Sequence, residues 1–368
     1  MSRYSFQLAG REDDSELRRR MAEDCLPGHI SISFRREPDY FAACRVQGET
    51  VQVIKCIDRS QQRIVGMASR ALRPLWINGE VQRGGYLADL RAHPRYRNGT
   101  LLARGYRYLR RLHEADPVPL YYSMILDGNE HARRILTSRR AGLPEYAPLG
   151  RFLTPAVHLD LPRRALRLPG VTLTTARQSQ IPAILAFIQT HYRRRQLAPA
   201  WTATDLDGAG YIGLRAEDIY LALRGGRIVG TLAAWDQRAF RQTHVERYSR
   251  TLRGIRPLYN ALASVTPLKA LPREGQAVPY FYLAAIAIEN DDMAIFRVLL
   301  RHLYRERRRG PWHYFIGGFH ETDPFVSELL RYRHIPAAGH LYRVRFMGNN
   351  VTPITLDERI PFIEAGSL

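Results

Sequence analysis

The chain has 368 residues, 45% apolar and 24% charged, which is enough for two packed cores, and it carries a formal net charge of +20. No apolar run approaches the roughly 20 residues of a membrane span, so no membrane partner is expected. Lysine occurs only at Lys55 and Lys269, and the arginines that supply the remaining charge are scattered in short groups without an aromatic-interleaved tract, so nucleic acid is not expected as a partner either. Met1 to Asp14 lacks a long apolar region and turns acidic, unlike a secretory signal. Cys25, Cys44 and Cys56 are odd in number and lack metal-ligand spacing, which predicts reduced thiols and a cytoplasmic protein.

In chain order, Tyr4 to Leu8 reads as a strand. A helix capped by Asp13 or Asp14 runs through Met21 and is stopped by Pro27-Gly28. Ile30 to Phe34 alternates as a strand, and Arg35 to Phe41 is a loop or short helix rich in polar and aromatic groups. Val51 to Ile57 and Arg63 to Ala68 predict a hairpin, and Asn78-Gly79 a tight turn between short strands. Tyr86 to His93 is a strand, with Tyr86, Ala88, Leu90 and Ala92 on one face and Leu87, Asp89, Arg91 and His93 on the other. Pro94 ends it. A basic turn, Arg95 to Thr100, then opens a helix with Leu101, Leu102, Gly105, Leu109 and Leu112 at helical spacing. Leu120 to Leu126 is the next strand, a helix starts at Asn129, and Val157 to Asp160 is a closing strand. Leu161 to Gly170, with two prolines and little periodicity, is the linker. Val171 to Thr175 and a helix from Ser179 to Tyr192 restart the pattern.

The strand, basic turn and helix of residues 86–112, with Pro94, Arg97 and Gly99, resemble the acyl-CoA-binding core of the GNAT acetyltransferase superfamily, and Asn129-x-x-Ala132 resembles its second motif. The pattern is doubled. Arg63-Ile-Val-Gly66 recurs as Arg227-Ile-Val-Gly230, an offset of 164, and Tyr86-Leu-Ala recurs as Tyr282-Leu-Ala, an offset of 196. The second half therefore carries an insertion of 32 residues, placed at 240–278. The resemblance implies a mixed-sheet α/β (α+β) fold of two tandem GNAT-like domains. They are residues 1–165, which would bind acyl-CoA, and 170–345, a degenerate copy, with a C-terminal extension at 346–368. In the second copy Ala285 replaces Asp89, and the acidic Glu289 to Asp292 replaces the basic turn.

What the resemblance implies chemically is N-acetyl transfer from acetyl-CoA, without a metal, to a small-molecule or peptide amine. Leu90, Arg91 and Ala92 would pair with the pantetheine arm. Arg97, Asn98, Gly99, Thr100, Leu101 and Leu102 would hold the pyrophosphate, and Asn129 would contact the arm from across the site. The main-chain N–H of Leu90 or a neighbour would stabilise the oxyanion. Asp89 is the candidate base, directly or through water; otherwise it is a surface carboxylate paired with Arg91. Leu136 stands where the family's proton-donating Tyr is usual, which leaves Tyr146, Tyr121 and Tyr122 as candidate acids. Arg35, Arg36, Glu37, Asp39 and Tyr40 are candidates for the acceptor mouth. The alternative readings are a non-catalytic acyl-CoA-binding or interaction protein and a nucleic-acid-associated basic protein.

Overall fold

The computed structural model describes residues 2–96, 100–140, 142–206, 210–346 and 354–368. Arg97, Asn98 and Gly99, named above for the pyrophosphate, lie outside the described residues.

The first half contains β1 (Tyr4–Leu8), α1 (Asp14–Glu23), β2 (Ile30–Arg35), α2 (Tyr40–Cys44), β3 (Thr50–Asp58), β4 (Arg63–Ile77), β5 (Glu80–Ala92), α3 (Leu101–Ala115), β6 (Tyr121–Leu126), α4 (Glu130–Leu136), β7 (Glu145–Leu153) and β8 (Ala156–His158). The second contains β9 (Val171–Thr175), α5 (Ile181–Tyr192), β10 (Ala198–Pro199), α6 (Ala203–Leu206), β11 (Ile219–Arg224), β12 (Arg227–Trp235), β13 (Gln242–Tyr248), α7 (Arg250–Val265), β14 (Tyr280–Ile288), α8 (Met293–Arg307), β15 (Tyr314–Ile316), β16 (Phe319–His320), α9 (Val326–Leu329), β17 (His334–Ile335) and β18 (Ala338–Arg345).

Two mixed sheets carry the molecule. One runs β1-β3-β4-β5-β6-β18-β7-β16, the other β17-β8-β15-β14-β12-β11-β9. Read from β1 and from β9, the first five positions correspond strand for strand. The sixth position is exchanged: β18 of the second half enters the first sheet, and β8 of the first half enters the second. The segment from Val157 therefore closes the second sheet, where β8 pairs with β15 and β17. The halves cannot separate without opening both sheets.

Strand register shows the duplication more closely than sequence does. Gly66 faces Ala92 and Ser69 faces Ala88; Gly230 faces Ile288 and Ala233 faces Ala284. Both pairs keep the offsets of 164 and 196. Between them each hairpin carries the same bulge, with Ala68 opposite Asp89 and Leu90, and Leu232 opposite Ala285 and Ile286. Asp89 has φ +52° and Ala285 φ +51°, a left-handed conformation costly for residues other than glycine. The bulge overturns the simple alternation expected for 86–93, because one extra residue changes which face follows it. It also leaves Leu90 exposed.

The turn at Asn78-Gly79 joins long strands, not short ones. Asn78 and Gly79 both have positive φ, as a two-residue hairpin turn requires, and β4 and β5 pair continuously back from it. Helix α3 buries Tyr106, Leu109 and His113 against this sheet, where Leu109 and Tyr106 join Ile54, Leu72, Leu87 and Tyr121 in one apolar cluster. The larger core of the second half gathers around Trp235, Phe281, Phe296 and Leu299.

Candidate functional site

In the first sheet β5 and β6 run parallel and pair only at Gly85–Tyr121 and Tyr86–Tyr122. Gly85 permits this approach, since a Cβ there would lie 2.2 Å from the Tyr121 ring. Past Tyr86 the strands part. β5 continues along β4 to Ala92, and β6 continues along β18 to Leu126. The result is a wedge in the sheet with Leu90, Arg91 and Ala92 on one side, Met124 to Leu126 on the other, and the Asp89 bulge at its narrow end. Ser123 spans that end by donating its hydroxyl to the Leu87 carbonyl at 2.9 Å.

Thr100 stands at the N-terminus of α3, its own side chain making no cap bond, followed by Leu101 and a half-buried Leu102. Asn129 caps α4, its Oδ1 accepting from the Ala132 N–H at 3.3 Å. The β6–α4 turn thus stands across the wedge from β5.

Asp89 is buried among charged partners that sequence reading did not assign to it. Arg36, 2% exposed, places Nη2 2.7 Å from Asp89 Oδ2. Tyr40 donates its hydroxyl to the same oxygen at 3.2 Å, and Ser69 Oγ lies 3.4 Å away. Burial pushes the Asp89 carboxyl up, but Arg36 foremost, then Arg91 and Arg241, hold it below the usual carboxylate range. The ion-pair partner is therefore Arg36, while Arg91 reaches Asp24 at 3.7 Å. A carboxylate this well paired is a weak base.

Arg36 is fixed in turn by Cys44, whose Sγ lies 2.6 Å from Nη1, and by the Tyr40 ring, 4.9 Å beneath the guanidinium. Asp39 caps α2 by accepting from the Ala42 N–H at 2.8 Å, and Asp14 of α1 accepts from the Tyr40 N–H at 2.7 Å. The insertion braces the same segment. β13 pairs with β2, Arg35 reaches Glu246 at 2.7 Å, and Gln242 brackets Glu37 through both its amide groups. Of the five mouth candidates, Arg36 and Tyr40 face Asp89, while Arg35, Glu37 and Asp39 tie the loop down.

Tyr146 lies in the core under α3, its hydroxyl 2.6 Å from that of Tyr106. Burial pushes its phenol up to about 12, as it does for Tyr121 and Tyr122. An ordinary thiol titrates near 8.5, so each phenol is a much weaker acid than the thiol it would protonate.

The second copy has the same wedge and fills it. β14 pairs with β15 only through Tyr282–Ile316. Beyond that point the C-terminal segment enters. Glu364 Oε1 accepts from the Ala285 N–H at 3.0 Å and from the Tyr192 hydroxyl at 2.6 Å. A Cβ on Gly318 would lie 2.6 Å from Ala365, and one on Gly366 2.7 Å from the Trp235 ring and the Gln237 amide, so the tail is packed between β14 and the chain after β15. Burial raises the Glu364 carboxyl to about 7. Asp292 caps α8, accepting from the Ala294 and Ile295 N–H groups at 2.8 and 3.4 Å. Four residues join β14 to α8, against eight between β5 and α3.

Paired sheets, repeated bulges and a wedge beside each bulge define a tandem GNAT fold. No family model matches the sequence, and no curated protein does. Solved structures match in fold. A GCN5-related N-acetyltransferase from Sphaerobacter thermophilus aligns over 96% of this chain and 99% of its own, with TM-score 0.54 and 13% identity. Saccharomyces cerevisiae N-myristoyltransferase with bound myristoyl-CoA aligns over 99% of this chain and 88% of its own, with TM-score 0.61 and 12% identity. A GCN5-related glucosamine N-acetyltransferase region in a fungal multi-domain GH3 β-N-acetylglucosaminidase aligns over 92% of this chain, with TM-score 0.64 and 9% identity; this chain spans 38% of that one. At these identities the likeness is one of fold.

Proposed function

We propose that the protein is an N-acetyltransferase that moves an acetyl group from acetyl-CoA to an amine, with its site in the first half, residues 1–165. One contrast carries the reading: the first wedge has no described segment between its strands, whereas the second is filled by Glu364 and its neighbours. In this proposal the pantetheine arm pairs with Leu90, Arg91 and Ala92 as an added strand. The pyrophosphate lies at Arg97 to Leu102, on the N-terminus of α3, and Asn129 meets the arm from the far side. The Asp89 main-chain N–H, counterpart of the Ala285 N–H that holds a Glu364 oxygen, stabilises the thioester oxygen as it gains charge. Tyr86 and Tyr122, stacked at 4.8 Å, close the narrow end and favour a short acyl group.

The amine nitrogen attacks the thioester carbonyl, the C–N bond forms and the C–S bond breaks. Asp89 accepts a hydrogen bond from the incoming ammonium and passes its proton to water, since its own basicity is low. The second nitrogen proton leaves to water as the C–S bond breaks, and the departing thiolate takes a proton from water, Tyr146 being too weak an acid to supply it readily. The acceptor, a small molecule or a peptide amine, enters past Arg36 and Tyr40. The cellular setting is cytoplasmic in this reading, and the three free thiols fit it.

A second reading, acyl-CoA binding without transfer, is favoured by the tight pairing of Asp89 with Arg36. Two measurements separate them. Calorimetry should show acetyl-CoA binding that weakens at least about tenfold in Gly99→Asp, which puts a carboxylate where phosphate would sit. An amine screen with thiol detection should then find acceptor-dependent CoA release. Unchanged affinity in Gly99→Asp removes the donor site; binding without any thiol release, even slow hydrolysis, leaves the second reading.

A further inference from the structure

The insertion at 240–278 does more than brace the mouth. Its helix α7 is sixteen residues long and buries none of them. Ile255, Leu258, Leu262 and Val265 follow helical spacing on one face and are 51%, 74%, 50% and 81% exposed. The half-buried face opposite is mixed, with Leu252, Tyr259 and Ala263 beside Arg256 and Asn260. Asn260 bonds both the carbonyl and the N–H of Leu271, at 3.1 and 2.8 Å. Arg256 donates to the Pro272 carbonyl at 3.1 Å and lies over the Tyr248 ring, and Arg253 pairs with Glu274 at 3.0 Å. An ordinary surface helix turns its main apolar stripe inward; α7 leaves Ile255, Leu258, Leu262 and Val265 outside and is held on its other face by these bonds.

We infer that α7 is a docking element that lays its apolar stripe into the surface of an anionic lipid bilayer. Charge selects this occupant. From Ser249 to Pro272 the chain contains Arg250, Arg253, Arg256 and Lys269 and no acidic residue. An exposed apolar row within an arginine-bearing, acid-free segment is the pattern of a helix that lies in the headgroup layer: the apolar side chains enter the acyl boundary, the exposed Arg250 at the flank of the row meets the phosphates, and Arg256 and Lys269, bonded to main-chain carbonyls, keep their charge and add to the attraction. Among the described residues no helix is long and apolar enough to cross a membrane. Lying on a surface needs no such helix, so the expectation of no membrane partner, drawn from the lack of a spanning run, does not extend to α7. β13 leads into α7 and is hydrogen-bonded along β2, which ties the docking helix by one ladder to the segment carrying Arg36 and Tyr40.

The test is co-sedimentation of the full chain with vesicles of phosphatidylcholine and phosphatidylglycerol in equal parts, and with phosphatidylcholine alone. The wild type should pellet with the anionic vesicles, less so as salt rises, and hardly at all with the neutral ones. Leu258→Glu combined with Leu262→Glu should cut partitioning at least about tenfold, with an unchanged thermal melt because both side chains are exposed. Arg250→Glu should weaken binding and flatten its salt dependence. Failure of the wild type to pellet, or equal pelleting with neutral vesicles, overturns the inference. So does a dimer in light scattering that Leu258→Glu dissolves, because the stripe would then belong to a second copy of the chain.

Discussion

The two halves place a carboxylate at the same bulge by different routes and with opposite chemistry. In the first half it is the side chain of the bulge residue, Asp89, held ionised by Arg36. In the second the bulge residue is Ala285, and a carboxylate from 79 residues away, Glu364, binds its N–H and is pushed toward neutrality by burial. The neighbouring helix starts differ in the same sense. The Thr100 side chain makes no cap bond to α3, while Asp292 closes α8. A duplicated backbone therefore keeps its strained bulge in both copies, and side chains, the length of the loop that follows and a tail distinguish the wedge that is filled from the one with no described segment in it. The conserved strain is a property of the fold; availability is a property of the sequence laid on it.

The sharpest way to break this comparison is Asp89→Asn. If the ionised carboxylate orients the amine, turnover should fall about 100-fold, the lower end of what an acid–base group supplies, with acetyl-CoA affinity preserved. Calorimetry on the same sample separates lost chemistry from lost fold, which matters because the variant leaves Arg36 buried without its carboxylate. Because the Asp89 pKa is depressed, its charge persists down through ordinary carboxylate values. The wild-type rate should therefore show no limb from Asp89 between pH 5 and 9 and should rise only as the amine loses its proton. Full activity in Asp89→Asn would place the working group elsewhere.

The second test concerns the other bulge and reads stability, with an effect of comparable size. The Glu364 carboxyl titrates near 7 in the folded chain and near 4.3 when unfolded. The native state therefore binds more protons across that window, and stability should fall as pH rises from about 4 to about 8. The loss approaches about 4 kcal/mol at about 1.4 kcal/mol per pH unit. Glu364→Gln keeps an acceptor for Ala285 and Tyr192 and removes the charge, so it should flatten that dependence and be the more stable protein at pH 8. Parallel pH–stability curves for the two proteins would mean that Glu364 is not the buried acid described here.

How much of this could be read from the chain alone follows from the range of each interaction. Strand β5, the turn at Asn78-Gly79 and helix α3 are written in local periodicity and turn chemistry. The doubling shows in two short matches because they fall on the strands that frame the bulge. The bulge itself is silent, since neither Asp89 nor Ala285 is a glycine that would advertise positive φ. The pairing of Asp89 with Arg36 spans 53 residues. The exchange of β8 and β18 joins the ends of the two halves, and Glu364 reaches Ala285 from the last few residues. No spacing rule connects such positions. Arg36 was within reach as one of five polar residues after a strand; Glu364 carried no signal.

The smallest expected effect tests whether the second copy has been closed once or several times over. Asp292→Ala removes the α8 cap, which should cost about 1 kcal/mol and lower the melting temperature by roughly 1–2 °C. It also frees the first N–H groups of α8, the groups that in the first copy are proposed to meet pyrophosphate. If the cap alone excluded the donor, calorimetry would now find a second molecule of CoA bound per chain. The expected result is one, with unchanged affinity. The connection from β14 to α8 is four residues where the first copy has eight, too short to curl around two phosphates, and Glu364 still occupies the bulge N–H. A rise to two sites would show that the loop and the tail are no barrier, and that a single aspartate separates the copies.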